Sequence, residues 1–331
     1  MTVYIISFTD KGERLNKKIC RIFDDSDVRP YFWKAGKGNL KEWTEKAFLN
    51  GNVVIFISAV GIAVRAISGF ITSKDKDPAV IVCDELGKYA IPILSGHMGG
   101  ANAIAEKICR YTEGIPVITT ATDINGVWAV DCWAVKKNFK VHNTGNIKYI
   151  SSALLKGQKV GLISDIYIDE KLPENILQGN PDIERGIVLS PYLKNVYKYT
   201  LNLIPKCIYI GVGSRKNADE NALIELFEKV FSESNIDKYS VCAVATIDLK
   251  KNEKSVIKLC DYLGAELRCF CTEELNRISG DFSGSKFVEK ITGTDNVCER
   301  CAVLAADSGR LEIKKTVGKG VTLAVGLKTG G

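Results

Sequence analysis

Short apolar, β-branched runs separated by longer amphipathic stretches recur along most of this chain, and that alternation constrains its fold more than any other feature. Runs at residues 3–7, 52–57, 79–83 and 115–119 are interleaved with helical patterns at 11–23, 40–48 and 100–111. Strands apolar on both faces need helices on both sides of a mainly parallel sheet, so the first third predicts one open α/β sheet. The alternation lapses over 131–205, where weak strand signals at 159–163 and 187–189 lie between polar, Asn- and Lys-rich connections. It resumes with strands at 207–212, 241–246, 266–270 and 321–325 and helices at 217–231, 255–263 and 296–306. The expected organisation is α/β throughout. N-terminal (1–130) and C-terminal (206–331) domains with mainly parallel sheets are joined by a smaller α/β middle domain over 131–205.

With 331 residues, burying more than one core is no difficulty, and 46% hydrophobic against 25% charged residues excludes a disordered chain. The net charge of +6 arises from 45 basic and 39 acidic side chains interspersed along the chain. No basic stripe of the kind a nucleic-acid binder uses is present, so nucleic acid is not an expected partner. A mild positive surplus still suits a small polyanion. Of the eleven cysteines, Cys83, Cys109, Cys132, Cys207, Cys242 and Cys260 sit in apolar runs, where the residue acts as a small buried hydrophobe. An odd total without compact disulfide spacing predicts reduced thiols and a cytoplasmic protein. The chain starts on the strand-like residues 2–6, without a basic leader or an apolar span of membrane length, so no membrane association is expected. Homo-oligomerisation is left open.

The densest candidate for chemistry is the stretch 77–102. A buried strand delivers Asp84 and Glu85 at its end, and a second apolar piece delivers Ser95, Gly96 and His97 to a Gly99-Gly100 turn that opens a helix. In open parallel sheets the strand ends and neighbouring helix N-termini form the ligand crevice, where free N–H groups suit a carboxylate or an oxyanion. Gly96, Gly99 and Gly100 would let a bulky ligand approach the backbone. His97, one of two histidines, is the leading acid/base candidate because imidazole exchanges protons near neutrality. The alternative is a histidine that only bridges a tight turn. Glu85 is the second catalytic candidate, weighed against a surface turn carboxylate. Ser95 lacks the Gly-x-Ser-x-Gly setting of a hydrolase nucleophile and reads as a turn residue that could contact substrate.

Two further pieces follow strands. Gly61 permits a tight turn placing Arg65 one turn inside a helix, where it could hold a carboxylate bidentately or stand exposed on the helix surface. Gly211, Gly213, Ser214, Arg215 and Lys216 resemble a dinucleotide fingerprint only at the two glycines, since Lys216 stands where the third belongs. The piece reads as an anion-binding turn, with Asp248 at a neighbouring strand end as a further binding candidate. Cys298-x-x-Cys301 has half of a zinc spacing and no second half, so the two thiols are expected on the buried face of a helix and no protein-bound metal is expected.

Over these residues the chain resembles the cobalt-precorrin-5A hydrolase family. The likeness runs from Gly61-Ile62-Ala63-Val64-Arg65 through Asp77-Pro78-Ala79-Val80 to the specific signature Leu94-Ser95-Gly96-His97-Met98-Gly99-Gly100-Ala101-Asn102. It continues at residues 211–215, 245–250 and 295–302, while the middle domain matches only in position and length. Ser214 and Lys216 depart from the pattern, because members often carry Cys and Arg there, so no catalytic thiol is expected at that turn. The resemblance implies a cobalt-corrin substrate fringed with carboxylates, one of them closed as a δ-lactone. It also implies hydrolysis of that lactone with release of acetaldehyde, to give cobalt-precorrin-5B in anaerobic cobalamin synthesis. Cobalt would arrive with the substrate and no further cofactor is expected. Two other classes stay open: a non-catalytic carrier of tetrapyrrole intermediates, and a nucleotide-binding transferase or oxidoreductase using the glycine turn at 211–216.

Overall fold

The computed structural model describes residues 1–23, 26–33, 38–73, 76–179 and 182–330. They fall into two compact units, 1–133 and 134–331.

The first unit runs β1 (Thr2–Ser7), α1 (Asp10–Cys20), β2 (Asp27–Phe32), α2 (Leu40–Ala47), β3 (Val53–Ile57), α3 (Val60–Ile67), β4 (Ala79–Cys83), β5 (Tyr89–Leu94), α4 (Ala101–Thr112), β6 (Ile115–Pro116) and α5 (Ala121–Ile124), and enters α6 (Val130–Lys136). Its sheet has the order β2-β1-β3-β4-β5-β6. Every residue of β3 and β4 is buried. Alternate side chains feed two cores, with Val3, Ile5, Ile55 and Ile81 packed toward Leu15, Ile19 and Ile108 on one face. Ile6, Val54, Phe56 and Val82 pack toward Ala63 and Ile67 on the other. Burying each large side chain contributes roughly 1.5–3 kcal/mol. Thr9 starts α1 by accepting a hydrogen bond from the Gly12 N–H at 3.0 Å, as an N-cap should.

The apolar piece at 89–94, expected only as a lead-in to the Ser95 turn, is the strand β5 and runs antiparallel to β4. The strand expected at 115–119 shrinks to Ile115–Pro116, paired parallel to β5.

The second unit contains β7 (Lys140–His142), α7 (Ile147–Leu155), β8 (Val160–Ser164), β9 (Ile176–Gln178), β10 (Arg185–Leu189), β11 (Tyr199–Ile204), β12 (Ile208–Ser214), α8 (Ala222–Ser234), β13 (Val241–Ile247), α9 (Lys254–Leu263), β14 (Glu266–Phe270), α10 (Thr272–Arg277), α11 (Lys286–Thr292), α12 (Cys298–Ala305), β15 (Arg310–Val317) and β16 (Val321–Leu327). The middle sheet has the order β7-β11-β10-β8-β9 and is parallel except for β7. The C-terminal sheet, β14-β13-β12-β16-β15, is parallel over β12 to β14 and antiparallel where β16 joins. Lys140 and His142 of the middle sheet both reach Asp237, whose N–H donates to the Pro191 carbonyl at 2.9 Å, so the two sheets share one unit.

Two glycines explain how closely α12 lies on this sheet. A Cβ at Gly211 would come within 1.8 Å of the Cys298 carbonyl, and one at Gly326 within 2.3 Å of the Ala302 carbonyl. Cys298 and Cys301 face the core from the same helix, both at most 1% exposed. Burial pushes the Cys298 thiol up to about 11. All eleven cysteines are free of disulfides. Among the described residues no helix is long and apolar enough to cross a membrane.

Candidate active site

Strand direction decides which candidates can meet. Because Leu94 pairs with Val80 and Ala90 with Cys83, the Ser95–His97 turn leaves the sheet beside the start of β4. Glu85 follows the end of β4. Arg65, on the helix after β3, lies at that same end, since Ile57 pairs with Cys83. At about 3.3 Å per residue, a five-residue strand separates the two ends by roughly 15 Å. Within the N-terminal sheet, His97 therefore lies at the opposite end from Glu85 and Arg65. Glu85 instead accepts from the Thr9 hydroxyl at 2.7 Å and lies 3.9 Å from Lys11. Arg65 turns back along its helix and donates to the Gly61 carbonyl at 2.9 Å.

The glycine-rich turn is filled by the protein itself. The Ala101 and Asn102 N–H groups donate to the Ser95 and Gly96 carbonyls at 3.2 and 3.0 Å, so the start of α4 is no open oxyanion cradle. A Cβ at Gly96 would meet the Asn102 side chain at 2.7 Å and one at Gly99 would meet Ser95 at 2.5 Å. Their missing side chains make room for protein atoms rather than for ligand. Gly100 adopts φ +79°, the left-handed conformation glycine tolerates best, and serves as N-cap of α4. Ser95, also left-handed at φ +53°, donates its hydroxyl to the Asp77 carbonyl at 2.9 Å.

What this packed turn presents is His97. Its Nδ1 lies 3.1 Å from both oxygens of Asp131, and its Nε2 lies 2.9 Å from Asp123 Oδ2. Each ring nitrogen faces a carboxylate oxygen, which can only accept, so the ring is an imidazolium donating at both ends. The bond to Asp131, the contact with Cys132 and, against the cost of burial, the bond to Asp123 raise its pKa to about 11. Burial pushes the Asp131 carboxyl up, but the His97 bond and charge outweigh it and hold it below the ordinary value. Asn102 fixes the other carboxylate, its amide donating to Asp123 at 2.8 Å and to the Thr120 hydroxyl at 3.1 Å. Side-chain exposure orders the three: 11% for His97, 12% for Asp131 and 38% for Asp123. Asp123 is thus the member open to solvent.

Asp123 and Asp131 were not legible as site residues. Thr120-Ala121-Thr122-Asp123 has the spacing of a helix start, and Asp131 lies 34 residues from His97. His97, Asp131 and Cys132 also place three ligand atoms within 4.8 Å of one another, a set that could hold a cation.

The remaining candidates lie in the second unit. Gly213, Ser214, Arg215 and Lys216 line a cavity of about 780 Å³ with Ile247, Lys250, Phe287, Lys315, Val317 and Thr322 among its other walls. Gly211 lies inside β12 and serves the approach of α12 described above. A Cβ at Gly213 would meet the Thr322 hydroxyl at 2.6 Å. The next helix begins at Ala222 rather than at 217, so no helix N-terminus follows the glycines as a dinucleotide site requires. Asp248 is exposed and accepts from the Leu249 N–H at 2.7 Å, outside the cavity lining.

Fold and site together define an α/β protein with a histidine–carboxylate cluster in its first unit and a cavity lined by basic residues in its second. Three family models match in order: "Cobalamin synthesis G N-terminal" over 42–123, "Cobalamin biosynthesis central region" over 128–193 and "Cobalamin synthesis G C-terminus" over 208–326. The cobalt-precorrin-5A hydrolase of Salmonella typhimurium is 31% identical over 98% of this chain and 97% of its own length. That of Priestia megaterium is 28% identical over 98% of this chain and 94% of its own. The chain belongs to the cobalt-precorrin-5A hydrolase family.

Proposed function

We propose that this protein hydrolyses cobalt-precorrin-5A, opening the δ-lactone of the corrin precursor and releasing acetaldehyde, with the His97 centre carrying the proton transfers. The end-to-end likeness to the Salmonella typhimurium hydrolase carries the choice of substrate. The chemistry of the site supports the rest.

Lactone opening needs a base for water and an acid for the departing oxygen. Asp123, the exposed carboxylate, takes the proton of the attacking water. Neutralising Asp123 removes one of the two charges that hold the His97 proton in place. His97 therefore becomes a stronger acid at the moment the lactone oxygen must be protonated. In the second step the freed hydroxyl returns a proton to the centre as the carbon–carbon bond to the ring breaks. The bonding pair passes to the macrocycle, which takes up a proton, and the two-carbon fragment leaves as acetaldehyde. Asp131 stays bonded to Nδ1 throughout and fixes the ring. Cobalt enters with the substrate, and neither step calls on a nicotinamide or a covalent nucleophile.

The test is anaerobic incubation with cobalt-precorrin-5A, following acetaldehyde by its reduction with NADH and alcohol dehydrogenase. Stoichiometric acetaldehyde with loss of the lactone is expected. Tight binding of unchanged substrate would leave the carrier alternative standing instead.

A further inference from the structure

The cavity at the end of β12 has features the His97 chemistry leaves unused. Its volume of about 780 Å³ falls within the roughly 300–1,000 Å³ of small-molecule sites. It sits where Ser214 and Ile247 end the parallel strands β12 and β13, with Val321 opening the antiparallel β16 beside them, and the carboxyl ends of parallel strands are where open α/β sheets bind ligands. Phe287, Ile291 and Val317 line it while remaining 69%, 59% and 69% exposed. Large apolar side chains left open around one cavity mark a surface awaiting an apolar face. Four cations, Arg215, Lys216, Lys250 and Lys315, stand on the same lining. Lys250 is paired with Glu253 at 3.2 Å and the single lining acid, Asp295, with Arg300 at 2.9 Å. Arg215 and Lys216 form no ion pair among the described residues.

An apolar wall with unpaired cations at its edge fits a flat, amphipathic polycarboxylate and fits a nucleotide poorly. The glycines that might have cradled a pyrophosphate are occupied by α12 and Thr322, as described above. We propose that this cavity is a corrin-binding site that grips the macrocycle by its peripheral carboxylates, seating the ring face against Phe287, Ile291 and Val317. It retains product as well as substrate. The inference rests on a corrin being the substrate and goes beyond it in one respect. Lactone hydrolysis uncovers one more carboxylate, so product should bind up to about fivefold tighter than the lactone, the worth of one exposed ion pair.

The experiment is titration of the full chain, by the visible spectrum of the ligand, with a cobalt corrin whose peripheral carboxylates are free and with the same corrin amidated. NAD is added as competitor. Saturable binding of the free acid is expected, weakened at least about tenfold by amidation and by the double change Arg215→Ala with Lys216→Ala. Phe287→Ser should weaken both corrins alike, whereas a folded His97→Ala protein should bind as tightly as the unaltered one. Equal affinity for the amidated ring together with indifference to the Arg215/Lys216 change would overturn the proposal, as would displacement of the corrin by NAD. If acetaldehyde is never released yet the free-acid corrin binds as described, the hydrolase reading fails and the corrin site stands. Acetaldehyde release with binding indifferent to these substitutions removes the site alone.

Discussion

The two centres of this chain are opposites in how they treat charge. Around His97 every charge is answered: two carboxylates on one imidazolium, with Asn102 holding the more exposed of them. Around the end of β12 the cations Arg215 and Lys216 have no ion-pair partner among the described residues, and apolar side chains as large as Phe287 are left open. A proton-transfer centre needs partners fixed before substrate arrives, because reorganising them during reaction would raise the barrier. A binding site needs the reverse, uncovered area and charge for the ligand to satisfy. On the reading proposed above, similar sheet architecture serves chemistry in one unit and capture in the other.

The sharpest way to break this contrast is to remove its most saturated member. His97→Ala should lower turnover at least about a hundredfold, the scale of a lost general acid or base, while circular dichroism reports an intact fold. A near-normal rate in the folded variant would reduce His97 to a turn-bridging residue. Next in size, the Arg215→Ala, Lys216→Ala double variant should raise KM about tenfold with little change in kcat, the pattern of lost uniform binding. A fall in kcat alone would move those cations into the chemistry.

A smaller effect concerns the wall between binding and structure. Glu299 is fully buried and accepts from the Ser283 N–H and hydroxyl, the Asn296 amide and the Lys315 N–H, so it ties three pieces beside the cavity to α12. Glu299→Gln puts a donor where one of these donors needs an acceptor and should cost about 1–3 kcal/mol of unfolding free energy in urea. An unchanged midpoint would show that these bonds are dispensable.

The smallest effect is on pH dependence. His97 has its pKa raised from an ordinary value of about 6.5 to about 11, so the stability its charge contributes is fully present below about pH 6.5 and is lost only as pH rises through about 11. Its ring resonances should stay unchanged from about pH 6 to 9 in a proton NMR titration of a chain with only two histidines. Asp131→Asn should return His97 toward ordinary titration. A midpoint near 6.5 in the unaltered protein would contradict the doubly bonded imidazolium.

Element type was widely legible in the sequence, because β3, β4, β12 and β13 are apolar on both faces and have no other stable setting than a covered sheet. Direction was not. Nothing in the six residues of β5 announces that they run antiparallel to β4, yet that reversal carries the Ser95–His97 turn to the opposite end of the sheet from Glu85 and Arg65. Of the missed strands, β2, with Pro30 and two charges among six residues, and β15, with four charges in eight, lie at sheet edges where polar sequence is tolerated, whereas β11 was missed inside the middle sheet. His97 stood out by rarity and by its glycine turn. Asp123 and Asp131 could not, since an aspartate at a helix start looks the same whether it caps or catalyses. The cavity was half visible: residues 213–216 lie at the end of a strand and just beyond it, whereas Phe287 and Lys315 join them only through folding.

The most direct test sets the two centres against each other in a single experiment, following anaerobic acetaldehyde release from cobalt-precorrin-5A over a range of substrate concentrations. The unaltered protein, His97→Ala and the Arg215→Ala, Lys216→Ala variant would be compared. Division of labour predicts that excess substrate restores the Arg215/Lys216 variant to nearly the normal rate and leaves His97→Ala slow at every concentration. Recovery of His97→Ala at high substrate, with the Arg215/Lys216 variant slow even at saturation, would contradict it.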